Sequence, residues 1–272
     1  MKPTLPPFAA FLQFDTNSAN QGLEKIRQGL SRLSPPPGAL IALPELWARG
    51  IATADLREQC GQTPELIVAL QKVARDYQCL LAGSLPEEED GQVFNSLLLV
   101  DGDGVVGRHR KQHLFAPMGE TIHFQAGPGP VPFSPSYPLL GGLVCFDLRF
   151  PELARTQAAW GTQLLVISAQ WPQARIEHWR TLVTARAIEN QLFVLACNRV
   201  GLQSCIEFGG HSLLVAPDGT ILAQGDGREE CCEGAHLDSG LLAEIRGRFS
   251  TVVSRQELRK TVLGADDHPE EL

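Results

Sequence analysis

The segments "SLLLVDGDGVVG" (96–107) and "SLLVAPDGTILA" (212–223) share one form: an apolar strand, an Asp-Gly turn and a second strand. Asp-Gly supplies the backbone conformations that a short hairpin needs. Each copy follows a helical pattern and another apolar strand, over 63–85 in the first case and 176–200 in the second. Two such hairpins alone can arise by chance, but the shared helix–strand–hairpin order upstream of both points to an internal repeat. The repeat predicts two similar halves, each building one sheet, with the sheets packed together and helices outside. No Pro/Gly/Ser-rich linker divides the chain. The expectation is therefore a single α/β domain over 1–272 with four layers, ending in a polar, acidic tail from about residue 262.

The remaining pattern fits that plan. "FAAFLQFD" (8–15) and "ALIALPEL" (39–46) read as buried strands with a helix over 20–30 between them. Residues 63–77 keep helical spacing at Leu66, Leu70, Val73 and Tyr77, with Thr63 as expected cap and Pro64 in the first turn. "CLLAGSL", "LLGGLVCF", "QLLVISAQW" and "LFVLACNRV" read as further strands. A chain of 272 residues with 43% hydrophobic content can bury a sizeable core. Its 23 basic and 31 acidic residues leave a net charge of −8, and no basic stripe with interleaved aromatics occurs. This argues against a nucleic-acid partner. No window approaches the roughly 18 apolar residues of a membrane span. The N-terminus lacks the long apolar stretch of a signal peptide, so a cytoplasmic protein is expected. Seven scattered cysteines read as reduced thiols, with adjacent Cys231 and Cys232 on a surface turn and Cys205 in a loop.

Cys145 is placed differently from Cys79 and Cys197, which sit inside apolar runs as small buried hydrophobes do. It ends the run "GGLVC" and is followed by Asp147, Arg149 and a Pro151-Glu152 helix start. Reactive thiols favour such strand-to-helix junctions, and free N–H groups at a helix onset suit a developing oxyanion. A thiol nucleophile needs a base, yet none of the seven histidines has a local signature tying it to Cys145. His109 and His113 are four apart, but Arg110 stands where the helical zinc motif needs Glu. Neither a metal nor a cofactor is expected. Glu45 ends an apolar strand as Cys145 does, flanked by Pro44 and Trp47, and is the stronger candidate for a general base. Lys111 closes the first hairpin and Glu120 ends the same segment. Taken singly, each of these charged residues has an ordinary surface reading.

Together they carry a resemblance. "LPELWARG", "RKQHLFAPMGE" and "GGLVCFDLRFPEL", in that order, resemble the signature blocks of the nitrilase superfamily, the carbon–nitrogen hydrolases. "AQWP" (169–172), 178–201 and "SLLVAPDGTIL" (212–222) extend the likeness from about Phe8 to near Phe249. The resemblance implies an α-β-β-α sandwich that dimerises through its helices. It also implies a cysteine paired with glutamate rather than histidine. By the same likeness Glu45 is the base, Lys111 the lysine, Cys145 the nucleophile and Glu120 the second glutamate. The Phe146 N–H and the Lys111 ammonium would hold the oxyanion, and Lys111 is expected to favour a thiolate. The blocks look most like the ω-amidase group, which acts on short dicarboxylic monoamides such as 2-oxoglutaramate. Arg149 falls where related carbamoyl-amino-acid hydrolases bind a carboxylate, the competing role being a pair with Glu152. Trp171 would wall the pocket or simply pack in the core. The partner expected is a small amide bearing a carboxylate. The alternatives are an N-carbamoyl-amino-acid hydrolase, an amidase for deaminated glutathione, and a non-catalytic scaffold that keeps the fold.

Overall fold

A strand covered by a helix on one face and by a second sheet on the other has no solvent face, so its sequence runs apolar without alternation. The computed structural model, which describes residues 4–50, 56–129 and 131–252, builds this arrangement twice. The acidic tail expected from about residue 262 lies outside the described residues. The first half runs β1 (Phe8–Gln13), α1 (Ala19–Leu33), β2 (Leu40–Ala42), α2 (Leu56–Tyr77), β3 (Leu80–Glu89), β4 (Gln92–Asp101) and β5 (Gly104–Arg110). A one-turn helix α3 (Glu120–His123) leads to the second half. There follow β6 (Leu140–Val144), α4 (Pro151–Ala159), β7 (Leu164–Ala169), α5 (Ile176–Asn190) and β8 (Phe193–Asn198). The chain continues through β9 (Val200–Gln203), β10 (Ile206–Gly209), β11 (Leu213–Val215) and β12 (Ile221–Gln224), and closes with β13 (Cys231–His236) and α6 (Ser239–Arg248).

The two sheets have the same path. Strands β1, β2 and β3 are parallel and β4 and β5 follow antiparallel; β6, β7 and β8 are parallel and β11 and β12 follow antiparallel. Inward residues of both sheets, among them Phe11, Ala42, Leu97, Val144, Val166 and Phe193, form one core between them. Outward residues alternate with these. Leu12, Ile41 and Leu81 pack with Ile26, Leu30 and Leu70 of α1 and α2, while Leu143, Leu165 and Val194 pack with Ala154, Trp179 and Val183 of α4 and α5. The result is the four-layer α-β-β-α sandwich that the sequence resemblance implies.

Three local readings need correction. Helix α2 extends seven residues before Thr63, which is not its cap: the Thr63 hydroxyl donates to the Gln59 carbonyl at 3.2 Å and to the Pro86 carbonyl at 2.6 Å. Pro64 sits inside the helix, where the buried stripe of Leu66, Leu70 and Val73 outweighs one missing N–H. The segment containing Cys205 is the turn of a β9–β10 hairpin rather than an open loop. Cys231 and Cys232 lie not on a surface turn but in β13, paired with Gln13 and Leu12 of β1. That strand carries no apolar alternation, because partner hydrogen bonds at a sheet edge, not burial, define it.

Strand β6 ends the second sheet, and its free edge is covered in an unusual way. The Gln157 side chain of α4 donates to the Gly142 carbonyl at 2.9 Å and accepts from the Gly142 N–H at 2.8 Å. It substitutes for a neighbouring strand at the element that leads into Cys145. A Cβ on Gly141 would lie 2.4 Å from the Gln157 oxygen, which explains the glycine there. Gln157→Leu keeps the volume but strands two buried backbone groups. It should lower unfolding stability by about 2–4 kcal/mol in urea titrations; a loss below about 1 kcal/mol would show that the edge does not depend on this side chain.

Candidate active site

Three chain segments leave the sheets beside one another and bring the predicted residues together. Glu45 follows β2, held by its N–H to the Ala169 carbonyl (3.3 Å) and by the next N–H, of Leu46, to Ser84 Oγ (2.8 Å). Lys111 follows β5, its N–H on the Asn95 carbonyl at 2.8 Å. Cys145 follows β6 with φ of +43°, a left-handed conformation that a residue with a Cβ adopts at a cost. It opens a 3-10 turn over Cys145–Arg149, before α4 begins. The free N–H groups foreseen at Pro151 therefore belong to this earlier turn, where Phe146, its second residue, has no acceptor within the turn.

The Lys111 ammonium lies buried between two carboxylates, 2.8 Å from Glu45 Oε1 and 2.6 Å from Glu120 Oε1. Each carboxylate is fixed by further donors. Glu45 accepts from Asn95 Nδ2 at 2.8 Å and from the Gln170 N–H at 3.0 Å, and Glu120 accepts from the Phe115 N–H at 2.7 Å. The Gln170 amide returns a bond to the Glu45 carbonyl at 2.6 Å. Glu45 thus sits among polar donors. Trp47, expected beside it, belongs to the cluster on the outer face of the first sheet, where it meets Gly22 of α1.

The charges set the protonation states. Burial opposes the Lys111 cation, but Glu45 and Glu120 outweigh it and hold its pKa above the ordinary lysine value. Burial, countered in part by Lys111, raises the Glu120 carboxyl. Burial also pushes the Cys145 thiol well up, and Glu45 and Glu120 add to this against Lys111. Lys111 favours the thiolate, but burial, with the two carboxylates added to it, outweighs that effect. The net effect favours the protonated thiol.

Asp147 was noted in the sequence only as a neighbour of Cys145. In the fold it is fully buried and binds both sides of the site. Its carboxylate accepts from the Val144 N–H (3.1 Å), from the Gln112 and His113 N–H groups (3.2 and 2.8 Å), from His109 Nε2 (2.9 Å) and from His113 Nδ1 (3.2 Å). Burial alone would raise its pKa, but the hydrogen bonds from His109 and His113 hold it well below the usual carboxylate range. The histidines set aside as metal ligands thus hold the cysteine turn to the lysine segment.

A cleft of about 380 Å³, counted out to its mouth, opens over this cluster. Glu45, Lys111, Glu120 and Cys145 line it with Phe115, Phe146, Gln170 and Trp171, and Arg149 and Arg175 also face it. Trp171 lines the cleft and packs 5.6 Å from Trp179, with Nε1 donating to the Arg175 carbonyl at 2.9 Å. Arg149 does not pair with Glu152. It stacks over Trp171 at 4.7 Å and points Nη2 at His178 Nδ1, 3.3 Å away. Asn95, Gln170 and Arg175 had no sequence signal beyond lying in or near blocks already noted.

Known proteins agree with this architecture. The sequence profile of the carbon-nitrogen hydrolase family matches residues 8–246, and the chain belongs to that family, within the nitrilase superfamily. It is 37% identical over 240 residues to the 2-oxoglutaramate amidase of Bacillus subtilis strain 168, covering 86% of this chain and 92% of the relative. It is 34% identical to the omega-amidase YafV of Escherichia coli K12, covering 81% and 85%. Among solved structures, a variant amidase from Nesterenkonia sp. AN1 superposes with a TM-score of 0.78 at 26% identity, over 90% of this chain and 97% of that one. In that structure the acetamide moiety of fluoroacetamide is covalently attached at the active-site cysteine.

Two measurements follow from the electrostatics. Alkylation of Cys145 by iodoacetamide should rise with pH to a midpoint above the roughly 8.5 of a free thiol. Glu45→Gln removes a negative charge and should bring that midpoint down; an unchanged or higher midpoint would contradict the charge arrangement. Because the Asp147 pKa is depressed on folding, its contribution is fully present above about pH 4 and is lost as pH falls. Asp147→Asn should therefore cost roughly 2–3 kcal/mol in urea unfolding at pH 7, and the deficit should shrink below pH 4. A deficit independent of pH would show that the carboxylate charge is not what matters.

Proposed function

We propose that the protein is a thiol-dependent amidase of the ω-amidase type, hydrolysing the terminal amide of a short carboxylate-bearing substrate with release of ammonia. The observation that carries this reading is the Glu45–Lys111–Glu120 cluster lining one cleft with the Cys145 thiol. No histidine is among the residues lining that cleft, so Glu45 is the base at hand.

In this mechanism Glu45 takes the Cys145 proton as the sulfur attacks the amide carbon. The carbonyl oxygen becomes an oxyanion between the Lys111 ammonium and the Phe146 N–H, where a preorganised donor contributes about 3–4 kcal/mol. Glu45 returns the proton to the departing nitrogen, leaving a thioester and ammonia. It then activates water, whose attack frees the carboxylic acid and restores the thiol. Glu120 holds Lys111 in place and keeps its charge. Arg149 binds the substrate carboxylate and Trp171 walls the pocket. Similarity to 2-oxoglutaramate amidases and omega-amidases favours short dicarboxylic monoamides. The same reading has a cytoplasmic homodimer joined through the outer helices, where Val68 of α2 and Ile188 of α5 stand exposed.

Ammonia release from 2-oxoglutaramate, succinamate, an N-carbamoyl amino acid, deaminated glutathione and a simple nitrile tests the assignment, with Cys145→Ala as control. The expected result is preference for the first two, abolished in the variant. Preference for the carbamoyl compound or deaminated glutathione would move the substrate class. Silence across the panel from folded protein would leave a non-catalytic scaffold as the better description.

A further inference from the structure

The cleft is electrically polarised along its depth. Glu45, Glu120 and Lys111 are two anions and one cation, so that cluster carries excess negative charge. Two guanidinium groups, of Arg149 and Arg175, face the same cleft. They arrive on different elements: Arg149 from the 3-10 turn after β6, and Arg175 from the 3-10 turn over Gln173–Arg175 after β7.

Neither cation has an acidic partner among the described residues. Glu177, two residues from Arg175, pairs instead with Arg180 at 3.5 Å. Aromatic faces hold both guanidinium groups: Arg149 lies over Trp171 at 4.7 Å, and Arg175 over Phe115 at 5.5 Å. The nearby Arg175 charge, after burial, disfavours the Arg149 cation. Like charges placed together without a counter-ion are unfavourable, and an anion between them relieves that cost.

We propose that Arg175 acts with Arg149 as a two-guanidinium anchor for the substrate carboxylate, making Arg175 a specificity-determining residue for amides that carry an acid at the far end. The inference rests on the amidase reading for the orientation of the amide towards Cys145. The polarity orients such a substrate, since its carboxylate is repelled by the Glu45–Glu120 cluster and attracted to the two arginines. It also aids departure of the product. Hydrolysis converts the amide into a second carboxylate facing Glu45 and Glu120, and like charges there favour release.

Succinamate and butyramide form a matched pair, equal in chain length and differing in a carboxylate for a methyl group. Their binding to Cys145→Ala can be measured by calorimetry without turnover, so this test stands apart from the activity panel. Cys145→Ala should bind succinamate more tightly than butyramide. Adding Arg175→Gln should weaken succinamate about 10- to 100-fold more than butyramide, and Arg175→Lys should restore part of the loss. In active protein the kcat/KM ratio for the two amides should fall in parallel, through KM rather than kcat. Equal binding of the two amides, or an unchanged ratio in Arg175→Gln, would overturn the proposal. Discrimination in binding without hydrolysis would uphold the anchor and refute the amidase reading.

Discussion

The site is organised around a buried ammonium that cannot be left alone. An isolated lysine charge in a protein interior is costly enough that the group would lose its proton. Two carboxylates within 2.8 Å keep Lys111 charged. Those carboxylates are anions too, and each is held by further donors: Asn95 and Gln170 on Glu45, Phe115 on Glu120. Burial raises the pKa of the adjacent thiol and the two carboxylates add to this; in the proposed mechanism Glu45 accepts the sulfur's proton.

Such a cluster works only if its parts are fixed relative to one another, and they come from both sheets. Glu45 and Lys111 leave the first sheet and Cys145 leaves the second. Two devices join them. Asp147 ties the cysteine turn to the segment after Lys111, using both histidines. Gln170, after β7, clasps the backbone and carboxylate of Glu45. Behind it, buried Arg199 donates to the Gln170 side chain at 3.1 Å and to Asp15 at 3.0 Å. Buried polar networks of this kind fix geometry when every member is satisfied.

Much of the architecture was legible because it rests on short-range patterns. The apolar runs around Phe11, Leu98, Val166 and Leu195 mark strands covered on both faces, and the two Asp-Gly hairpins mark the repeat. Residues Glu45, Lys111, Glu120 and Cys145 were legible because they fall in ordered sequence blocks. What escaped were features made by distant contacts. Cys231 and Cys232 form a strand only because β1 offers an open edge. Helix α2 runs through Pro64 because packing outweighs a local stop signal. Trp47 faces outward, since the chain turns at Leu46 with positive φ.

The sequence by itself determined most of the elements, the doubled order and the candidate site residues, since periodicity, turn chemistry and side-chain type are local properties. Tertiary structure decided everything that depends on summed fields and distances. It buried the thiol beside two carboxylates, and both effects raise its pKa against the pull of Lys111. It also made Asp147 a link between halves, and gathered Arg149 and Arg175 from separate turns at one cleft. Coulomb energies depend on separation in space and on burial, and neither is written in the order of residues along the chain.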